Sequence, residues 1–548
     1  MNPLSHRSLQ HTTASRLPLL LSLLTAMTVL SVSEAKATAH KNGIPRVVVN
    51  ILVDQLRTDY MHAFMPLYGN EGFARLLNEG RVYTQAEYPH YRPDLASAAA
   101  TFVCGTTPYN HGIVGRQWMN RETLRPVFCV DDSHYAGLQT SDASAPSYLG
   151  VSTLSDELKV ATTGKALVYG LAPYREAAIL TAGHAADGAF WIDDRTGQWC
   201  STSYYAPTLP AWVTVLNDEG LDDRIGQITW NPTNNLVGSF SYFLSGGVHK
   251  PFSHKFEGES RFASFKTSGL VNEEVLRAAN QCLNATMIGA DDVTDYLAVT
   301  FYAGNFEHRS VVDAHIEQQD TYVRLDQALA GLIKSVERKV GPGNALFVLT
   351  STGYADENKT DLSKYRIPTG TFDVERAAAL LNMYLVAIYG QGQFVETTFG
   401  TQVYLNHKLI EQRQISLAEM LERSQDFLLQ LAGVKDVYTS TRLLQGAWTP
   451  GISRIRGGYN PRYSGDILIE VAPGWHYVNQ TQGDDQLARE SYIPFPIIFF
   501  GQGVIAEKLR TPVSVDCIAP TISKAIRIRT PLLIVHYRRQ IVIEILTD

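Results

Sequence analysis

Four near-continuous apolar runs stand out along the chain. They cover residues 47–53, 296–302, 346–350 and 497–500, with Asn50, Thr300 and Thr350 as their polar members. Runs of this kind, rather than alternating ones, are typical of parallel strands that helices bury on both faces. The pattern therefore predicts an α/β fold, in which a mostly parallel sheet lies between layers of helices.

A helical pattern separates the second run from the third. From Asp320 to Val340, apolar side chains recur at helical spacing, at Leu325, Leu329, Leu332, Ile333 and Val336. The sequence Gly341-Pro342-Gly343 then ends the pattern. This order predicts a β-α-β unit, which is the usual building block of a parallel sheet.

The pattern also divides the chain into segments. The predicted core covers residues 45–355 and contains an insertion at about 230–290, which is rich in Gly, Ser, Phe and Asn and is expected to be irregular. Residues 356–480 predict a smaller inserted α+β cap. Residues 481–530 return to the core with its last strand and helix, and 531–548 form an apolar, basic tail that the rest of the pattern does not explain.

Residues 1–35 have the pattern of a secretory signal peptide. Basic residues precede an apolar run from Leu17 to Val32, and small residues lead to Ala35, where cleavage is expected. The run is shorter than the ~20 apolar residues of a spanning helix, and an uncleaved anchor is the alternative. The sequence therefore predicts a periplasmic or secreted protein with no transmembrane span in its mature chain.

Charge and cysteine content exclude some partners and sites. The formal net charge is −7 and the chain has no basic stripe, which argues against nucleic acid as a partner. The spacing of the five cysteines does not match that of a zinc-binding cysteine motif. Because the number is odd, at least one thiol is unpaired; we expect one or two disulfides, with the remaining thiols buried.

Five ordered segments carry candidate chemistry. They are VVVNILVDQLRTDYM from Val47, RPDLASAAATFVCGTTPYNHGIVG from Arg92, YLAVTFYAGNFEHRS from Tyr296, FVLTSTGYADE from Phe347 and YIPFPIIFFGQGV from Tyr492. This series resembles the alkaline phosphatase superfamily, and within it the type I phosphodiesterase/nucleotide pyrophosphatase branch and related periplasmic alkaline phosphatases. The resemblance extends over about residues 45–525 and implies that family's fold and its hydrolysis of phosphoric esters.

The resemblance also implies a metal site. In that family two zinc ions about 4 Å apart clamp the phosphoryl group, and two such dications repel by roughly 16 kcal/mol at a dielectric of 20. Several carboxylates are needed to offset this repulsion. The resemblance places ligands at Asp54, Asn305, His308, Thr352, Gly353 and Gln482.

Most of these positions do not hold a zinc ligand. Asp54 is the expected residue type in its place, and His308 is one residue out of register. Asn305, Thr352, Gly353 and Gln482 replace the family's Asp and His ligands. The resemblance therefore predicts a degenerate zinc site.

The nucleophile and the phosphate contacts are altered as well. Counting from Pro93 places Ala96 at the position of the attacking Thr, so Ser97 is the candidate nucleophile, with an N-cap or packing role as its alternative. A helix start at Ser97 would favour an anion. Arg175 keeps the Arg of the family's Lys-x-Arg phosphate clamp, and Arg116 replaces an Asn.

Three functions are open at this point, because a fold does not determine function. The first is a pseudo-phosphatase without metal, which binds a small anionic ligand or an envelope protein partner through Arg175, Arg116 and Ser97. The second is an active phosphomonoesterase or phosphodiesterase with one or two zinc ions, a Ser nucleophile, and carboxylates from Glu307 or Asp356. The third is a structural component of a cell-envelope assembly, docked through the insertion and the cap.

Overall fold

In a computed structural model, the described residues are 43–238, 251–309, 314–353, 367–447, 449–488 and 493–531. The predicted signal peptide, Asp356 and the tail from residue 532 lie outside them. Within these ranges, no helix has the length and apolar character needed to cross a membrane.

The strands of the described residues are numbered in chain order. They are β1 Val47–Asp54, β2 Arg81–Glu87, β3 Gln117–Asn120, β4 Arg125–Phe128, β5 Gly137–Leu138, β6 Val168–Ala172, β7 Gly188–Ile192, β8 Trp199–Thr202, β9 Thr229–Trp230, β10 His254–Lys255, β11 Asp295–Tyr302, β12 Ala345–Ser351, β13 Thr371–Asp373, β14 Val395–Phe399, β15 Gln402–Leu405, β16 Val434–Thr439, β17 Ile467–Val471, β18 His476–Asn479, β19 Asp484–Leu487, β20 Phe495–Gly501, β21 Glu507–Leu509 and β22 Val513–Ser514.

The largest sheet has a parallel centre. Its order is β21-β2-β20-β12-β1-β11-β6-β7-β8-β5, with β22 beside β2. The central strands β12, β1, β11, β6 and β7 are parallel. This arrangement confirms the predicted α/β fold with a mostly parallel sheet.

One strand runs in an unexpected direction. The apolar run at 497–500 lies in β20, which is antiparallel to both β12 and β2. A strand that is buried on both faces has the same apolar pattern in either direction, so the sequence contains no signal for this reversal. The reversal brings the start of β20 to the edge at which the parallel strands end.

The α-helices of the described residues cover both faces of this sheet and support the smaller sheets. They are Thr58–Ala63, Phe73–Glu79, Leu95–Cys104, Pro108–His111, Leu154–Ala161, Arg175–Ala182, Ala211–Asp218, Leu221–Gln227, Arg261–Lys266, Leu270–Ala285, His315–Val340, Val374–Tyr389, His407–Gln412, Leu417–Leu428, Ser440–Gln445, Pro450–Gly457 and Ile518–Ala525. Short 3₁₀ turns lie at Met65–Leu67, Phe306–His308 and Val515–Cys517.

Part of the insertion that is expected to be irregular is a regular helix. Leu270–Ala285 spans 16 residues and buries Val271, Val275 and Cys282 on one face. These residues belong to the same core cluster as the helix His315–Val340, which begins five residues before the predicted start. The sequence pattern conceals Leu270–Ala285 because its polar face is rich in Asn and Gln, which resembles loop composition.

The two faces of β1 show why its sequence is continuously apolar. Val47, Val49 and Ile51 belong to one core cluster, whereas Val48 and Leu52 belong to the other. Each face is covered by helices, so neither set of alternate positions meets water. This double burial fixes β1 at the centre of the sheet.

A further core lies in the later part of the chain. The four-stranded sheet β14-β15-β17-β16 shares a cluster with the helices Val374–Tyr389 and Leu417–Leu428. A three-stranded sheet, β13-β18-β19, adjoins them. We call this part, residues 371–488, the cap.

The expectation of one or two disulfides is wrong. All five cysteines are free thiols, and four of them are buried: Cys104, Cys129, Cys200 and Cys282. Burial raises the pKa of each of these four thiols. They therefore behave as small apolar core residues.

Candidate active site

Four adjacent parallel strands end at one edge of the large sheet. Asp54 is the last residue of β1, and Thr352 follows the end of β12. Asn305 follows β11, and residues 174–176 follow β6. Because these strands are neighbours in the order β12-β1-β11-β6, their ends converge, at the edge where α/β sheets bind ligands. We call this place the cleft.

Asp54 is hydrogen-bonded by a threonine that follows the neighbouring strand. The hydroxyl of Thr352 donates to Asp54 Oδ1 over 2.7 Å, and the backbone N–H of Gln55 donates to Thr352 Oγ1 over 2.9 Å. Gln55 adopts a φ of +62°, which is uncommon for a non-glycine residue. The Thr352 hydroxyl has two acceptors for its own proton, Asp54 Oδ1 at 2.7 Å and the Gly353 carbonyl at 3.2 Å, of which Asp54 is the nearer.

The environment of Asp54 disfavours its charge. Only 8% of the residue is exposed. Burial raises its pKa to about 6, although the hydrogen bond from Thr352 opposes the rise, and the negative charges of Glu176 and Asp94 add to it. The positive charge of Arg116 acts in the opposite direction. In the part of the chain that the structure describes, a single neutral donor thus contacts a carboxylate that lies in a negative environment.

Arg116 lies among these carboxylates. Its Nε lies 2.7 Å from Glu176 Oε1; the Arg116 side chain is 49% exposed, whereas that of Glu176 is 2% exposed. The backbone N–H of Arg116 donates to the carboxylate of Asp94. Arg116 therefore links two of the three carboxylates directly and acts on Asp54 through its charge.

A second cation was missed by the sequence analysis. Lys266 is almost fully buried, and its Nζ lies 2.8 Å from Asp194 Oδ1 and 5.0 Å from the ring centre of Tyr174. Arg116 lies on the same ring, with Cζ 5.9 Å from its centre. Lys266 comes from a helix in the insertion and carries no motif, so only the fold reveals its place at the cleft.

Ser97 lies in the first turn of the helix Leu95–Cys104, three residues after the N-cap Asp94 and not at the expected helix start, and its side chain is engaged in the cap. Its Oγ donates to Asp94 Oδ1 over 2.8 Å and accepts from the Asp94 N–H over 3.0 Å. The Ser97 N–H in turn donates to Asp94 Oδ1. This reciprocal pairing is a capping box, which favours the structural role over the nucleophile role.

Arg175 is neutralised by other carboxylates. It forms an ion pair with Asp131 at 2.8 Å, and Asp142 lies 3.8 Å away. It also donates to Ser144 Oγ. The guanidinium is therefore held beside the loop at 131–144, and the predicted phosphate contact would compete with these pairs.

The other family ligand positions supply no further carboxylate among the described residues. Asn305 is buried and precedes the 3₁₀ turn Phe306–His308. Partial burial and the charge of Arg116 lower the pKa of His308. Gly353 adopts a φ of +86°, a conformation that L side chains rarely take, so a ligand side chain at this position would be strained.

Gln482 lies in the cap. Its Oε1 accepts from the Gly400 N–H over 2.7 Å and its Nε2 donates to the Thr398 carbonyl over 3.2 Å. These bonds attach the β18–β19 turn to the β14–β15 hairpin. They do not bring Gln482 to Asp54, which is where the resemblance places it.

The His111-Gly112-Ile113 element has a structural role. His111 Nδ1 accepts from the Ile113 N–H, and His111 Nε2 lies 3.1 Å from Thr101 Oγ1. Burial holds the pKa of His111 well below its ordinary value. The neutral imidazole of His111 therefore links this motif to Thr101 of the helix Leu95–Cys104.

The described residues of the cleft do not fit a pair of zinc ions. In the described ranges, no group of three or more His, Cys, Asp or Glu side chains could hold a metal ion. At the ligand positions, Asp54 is hydrogen-bonded to Thr352, Gly353 has no side chain and Gln482 lies in the cap. This donor set lacks the charge that two adjacent dications require.

Comparisons with known proteins agree with this fold. The sequence pattern of the family described as type I phosphodiesterase / nucleotide pyrophosphatase matches residues 48–493. The chain is 28% identical over 523 residues to alkaline phosphatase PafA of Elizabethkingia meningoseptica, a match that covers 92% of this chain and 96% of that protein. Alkaline phosphatase PhoV of Synechococcus elongatus is 29% identical over 510 residues, which is 89% of this chain and 91% of that protein.

A solved structure shows the same architecture. The crystal structure of wild-type PafA superposes with a TM-score of 0.78 at 27% identity, over 89% of this chain and 97% of that one. The likeness therefore extends over the sheet, its helices and most of the described chain. This protein belongs to the type I phosphodiesterase / nucleotide pyrophosphatase family of the alkaline phosphatase superfamily.

Proposed function

We propose that this protein is a catalytically degenerate member of its family, which folds without a zinc pair and acts by binding. The observation that carries the proposal is the hydrogen bond from Thr352 to Asp54 Oδ1. A zinc-bound carboxylate gives its lone pairs to the metal. Here the neighbouring ligand position holds a threonine whose hydroxyl donates to Asp54 Oδ1, so the two positions together supply one carboxylate instead of two.

The ion pairs of the cleft suggest what it binds. Arg116 is paired with Glu176, and Arg175 with Asp131. A small anionic ligand would have to compete with these carboxylates, and the negative charges of Asp54 and Asp94 lie close by. These pairings favour an envelope protein partner over a free phosphate-like anion. Export follows from the signal-peptide pattern of residues 1–35.

Metal content and hydrolysis of one sample test the proposal. The full chain is expressed with its leader, recovered from the periplasmic fraction, and its intact mass shows whether cleavage follows Ala35. Elemental analysis after dialysis against zinc is expected to find no stoichiometric metal. Phosphomonoester and phosphodiester assays should show only a background rate, which Asp54→Asn leaves unchanged.

A rearranged active enzyme is the second candidate. It is favoured by the similarity to proteins named alkaline phosphatase over about nine-tenths of the chain. Bound zinc, with turnover that Asp54→Asn and Ser97→Ala each abolish, would establish this candidate and refute the degenerate site. Turnover that survives Ser97→Ala but not Asp54→Asn would place the nucleophile elsewhere.

A further inference from the structure

Three exposed arginines lie on one surface where the cap meets the core. Arg92 precedes the helix Leu95–Cys104, whereas Arg454 and Arg462 belong to the cap. In the part of the chain that the structure describes, none of these three guanidinium groups has an ion pair. Because the chain as a whole has a formal net charge of −7, this surface is a local exception to the charge of the molecule.

Hydrogen bonds hold these residues close together. The Tyr91 N–H donates to the Arg454 carbonyl over 3.1 Å. The side-chain amide of Asn460 donates to the Tyr109 carbonyl over 3.2 Å, and its Oδ1 accepts from the Arg462 N–H over 3.0 Å. Both sets of contacts come from one short segment of the cap, so they form one surface, which we call the rim. Its members are Tyr91, Arg92, Tyr109, Arg454, Arg462 and Tyr463.

Arg92 is held in a conformation that its sequence disfavours. Its φ is +44°, in the left-handed region that non-glycine residues seldom adopt, and it precedes Pro93, where an extended conformation is usual. Its Cζ lies 5.0 Å from the ring centre of Tyr91 and 5.2 Å from that of Tyr477, which belongs to the cap. Strained residues of this kind cluster at ligand-binding places. Here the two rings fix an exposed guanidinium without neutralising its charge.

A carboxylate beside the rim is already engaged. Tyr91 packs against the apolar cluster that contains Tyr438. The Tyr438 hydroxyl donates to Glu470 over 2.9 Å, and Lys435 Nζ lies 3.2 Å from the same carboxylate. Glu470 therefore does not supply the counter-charge of the rim.

The composition of the rim indicates what it binds. Arginine and tyrosine are enriched at the residues that dominate binding between proteins. A guanidinium that lies over an aromatic ring keeps its N–H edge free to form two parallel hydrogen bonds to a carboxylate. Arg92 lies in this way, and so does Arg462, whose Cζ is 5.4 Å from the ring centre of Tyr463. Several such arginines spread over one surface suit an acidic protein segment better than one small anion.

We propose that the rim is a docking surface for an acidic segment of an envelope protein partner. The proposal rests on the proposed function and deepens it, because it names the chemistry of the partner that the protein binds. The guanidinium groups pair with carboxylates of the partner, and the tyrosine rings pack against its side chains. The rim adjoins the cleft, since a Cβ at Gly353 would lie 3.7 Å from Pro93 Cγ.

Binding of a labelled oligoglutamate peptide to the full chain tests the rim. Fluorescence anisotropy is measured in low salt, where screening is weak, and an oligoglutamine peptide of the same length is the uncharged probe. The oligoglutamate peptide should bind, and the oligoglutamine peptide should not. The triple variant Arg92→Gln/Arg454→Gln/Arg462→Gln should raise the Kd roughly tenfold, as the loss of three exposed charge pairs predicts.

A matched variant separates the rim from the total charge. Arg338→Gln/Arg376→Gln/Arg510→Gln removes three exposed arginines from other elements and changes the net charge equally, so its Kd should stay within about twofold of the unmodified value. The double variant Arg454→Gln/Arg462→Gln leaves the strained segment unchanged and should raise the Kd roughly fivefold. Its loss of binding is measurable even if the triple variant folds poorly.

The rim is refuted if oligoglutamate does not bind, if oligoglutamine binds equally well, or if the matched variant loses as much affinity as the triple variant. Displacement of the peptide by an equimolar concentration of inorganic phosphate would also overturn it, in favour of a small-anion site. A dimer of the unmodified protein that the triple variant dissociates would assign the rim to a second copy of the chain instead. Metal content and hydrolysis report separately on the proposed function: bound zinc with turnover would refute the degenerate site, whereas peptide binding that the triple variant loses would still support the rim.

Discussion

Two buried aspartates are held in opposite ways, one in the cleft and one where the cap meets the core. Among the described residues, Asp54 receives one hydrogen bond to its carboxylate, from Thr352. Asp466, which is 3% exposed, receives bonds from Arg121 at 3.0 and 3.2 Å, from the Leu405 N–H at 2.8 Å and from His407 Nε2 at 2.8 Å. We call this second group the junction.

The pKa values of the two aspartates follow from their partners. Burial raises the pKa of Asp54 to about 6. Burial acts on Asp466 as well, but the hydrogen bond from His407 and the charge of Arg121 outweigh it and lower the pKa. The junction therefore uses the charge of its aspartate to join two parts of the chain. The cleft, by contrast, disfavours the charge of Asp54.

The largest change in the free energy of unfolding is expected for a substitution at the junction. Asp466→Asn removes the charge that faces Arg121 and His407 and turns an amide donor toward them, so we expect a loss of about 3 kcal/mol in the free energy of unfolding at pH 7. Urea unfolding measures it. Because the folded pKa of Asp466 is lowered, its contribution is present above the unfolded value of 3.8 and is lost as the pH falls through the folded value. A loss that persists unchanged at low pH would show that packing, rather than charge, holds the junction.

In the cleft, removal of an aspartate charge is expected to raise the free energy of unfolding instead of lowering it. Asp54→Asn removes a charge that folding disfavours, so at pH 8 the variant should be more stable than the unmodified protein by about 2–3 kcal/mol. The folded pKa of about 6 lies above the ordinary 3.8. As the pH falls through 6 toward 4, folded Asp54 takes up a proton and the unmodified protein gains stability, so the gap should close. A variant that is less stable at pH 8 would indicate that Asp54 holds a metal.

The contrast between cleft and junction also separates what the sequence could predict from what it could not. The ends of β1, β11 and β12 were predictable, because near-continuous apolar runs mark strands buried on both faces. Asp54, Asn305 and Thr352 follow from those ends. The direction of β20 and the helix Leu270–Ala285 were not predictable, because burial on both faces hides the first and Asn-rich composition hides the second.

The partners in the cleft lay beyond the sequence for a different reason. Glu176 and Arg116 are 60 residues apart, and neither belongs to a motif that pairs them. Lys266 reaches Tyr174 only because its helix folds over the end of β6. Ser97 was assigned from its position at a helix start, but the same position also suits a capping box, and only the folded geometry distinguishes the two roles.

The smallest effect is expected for the histidines of the two regions. The hydrogen bond to Asp466 raises the pKa of His407, whereas partial burial and the charge of Arg116 lower that of His308. NMR titration should therefore place His407 above about 6.5 and His308 below it. For His407, the associated stability is present below the unfolded pKa and is lost as the pH rises through the folded one. Because half of its side chain is exposed, His407→Gln should reduce this pH dependence by less than about 1 kcal/mol.

If Arg116→Gln leaves the pKa of His308 unchanged, the guanidinium does not act across the cleft. If the pKa of His308 rises toward about 6.5, the charge of Arg116 reaches the histidine.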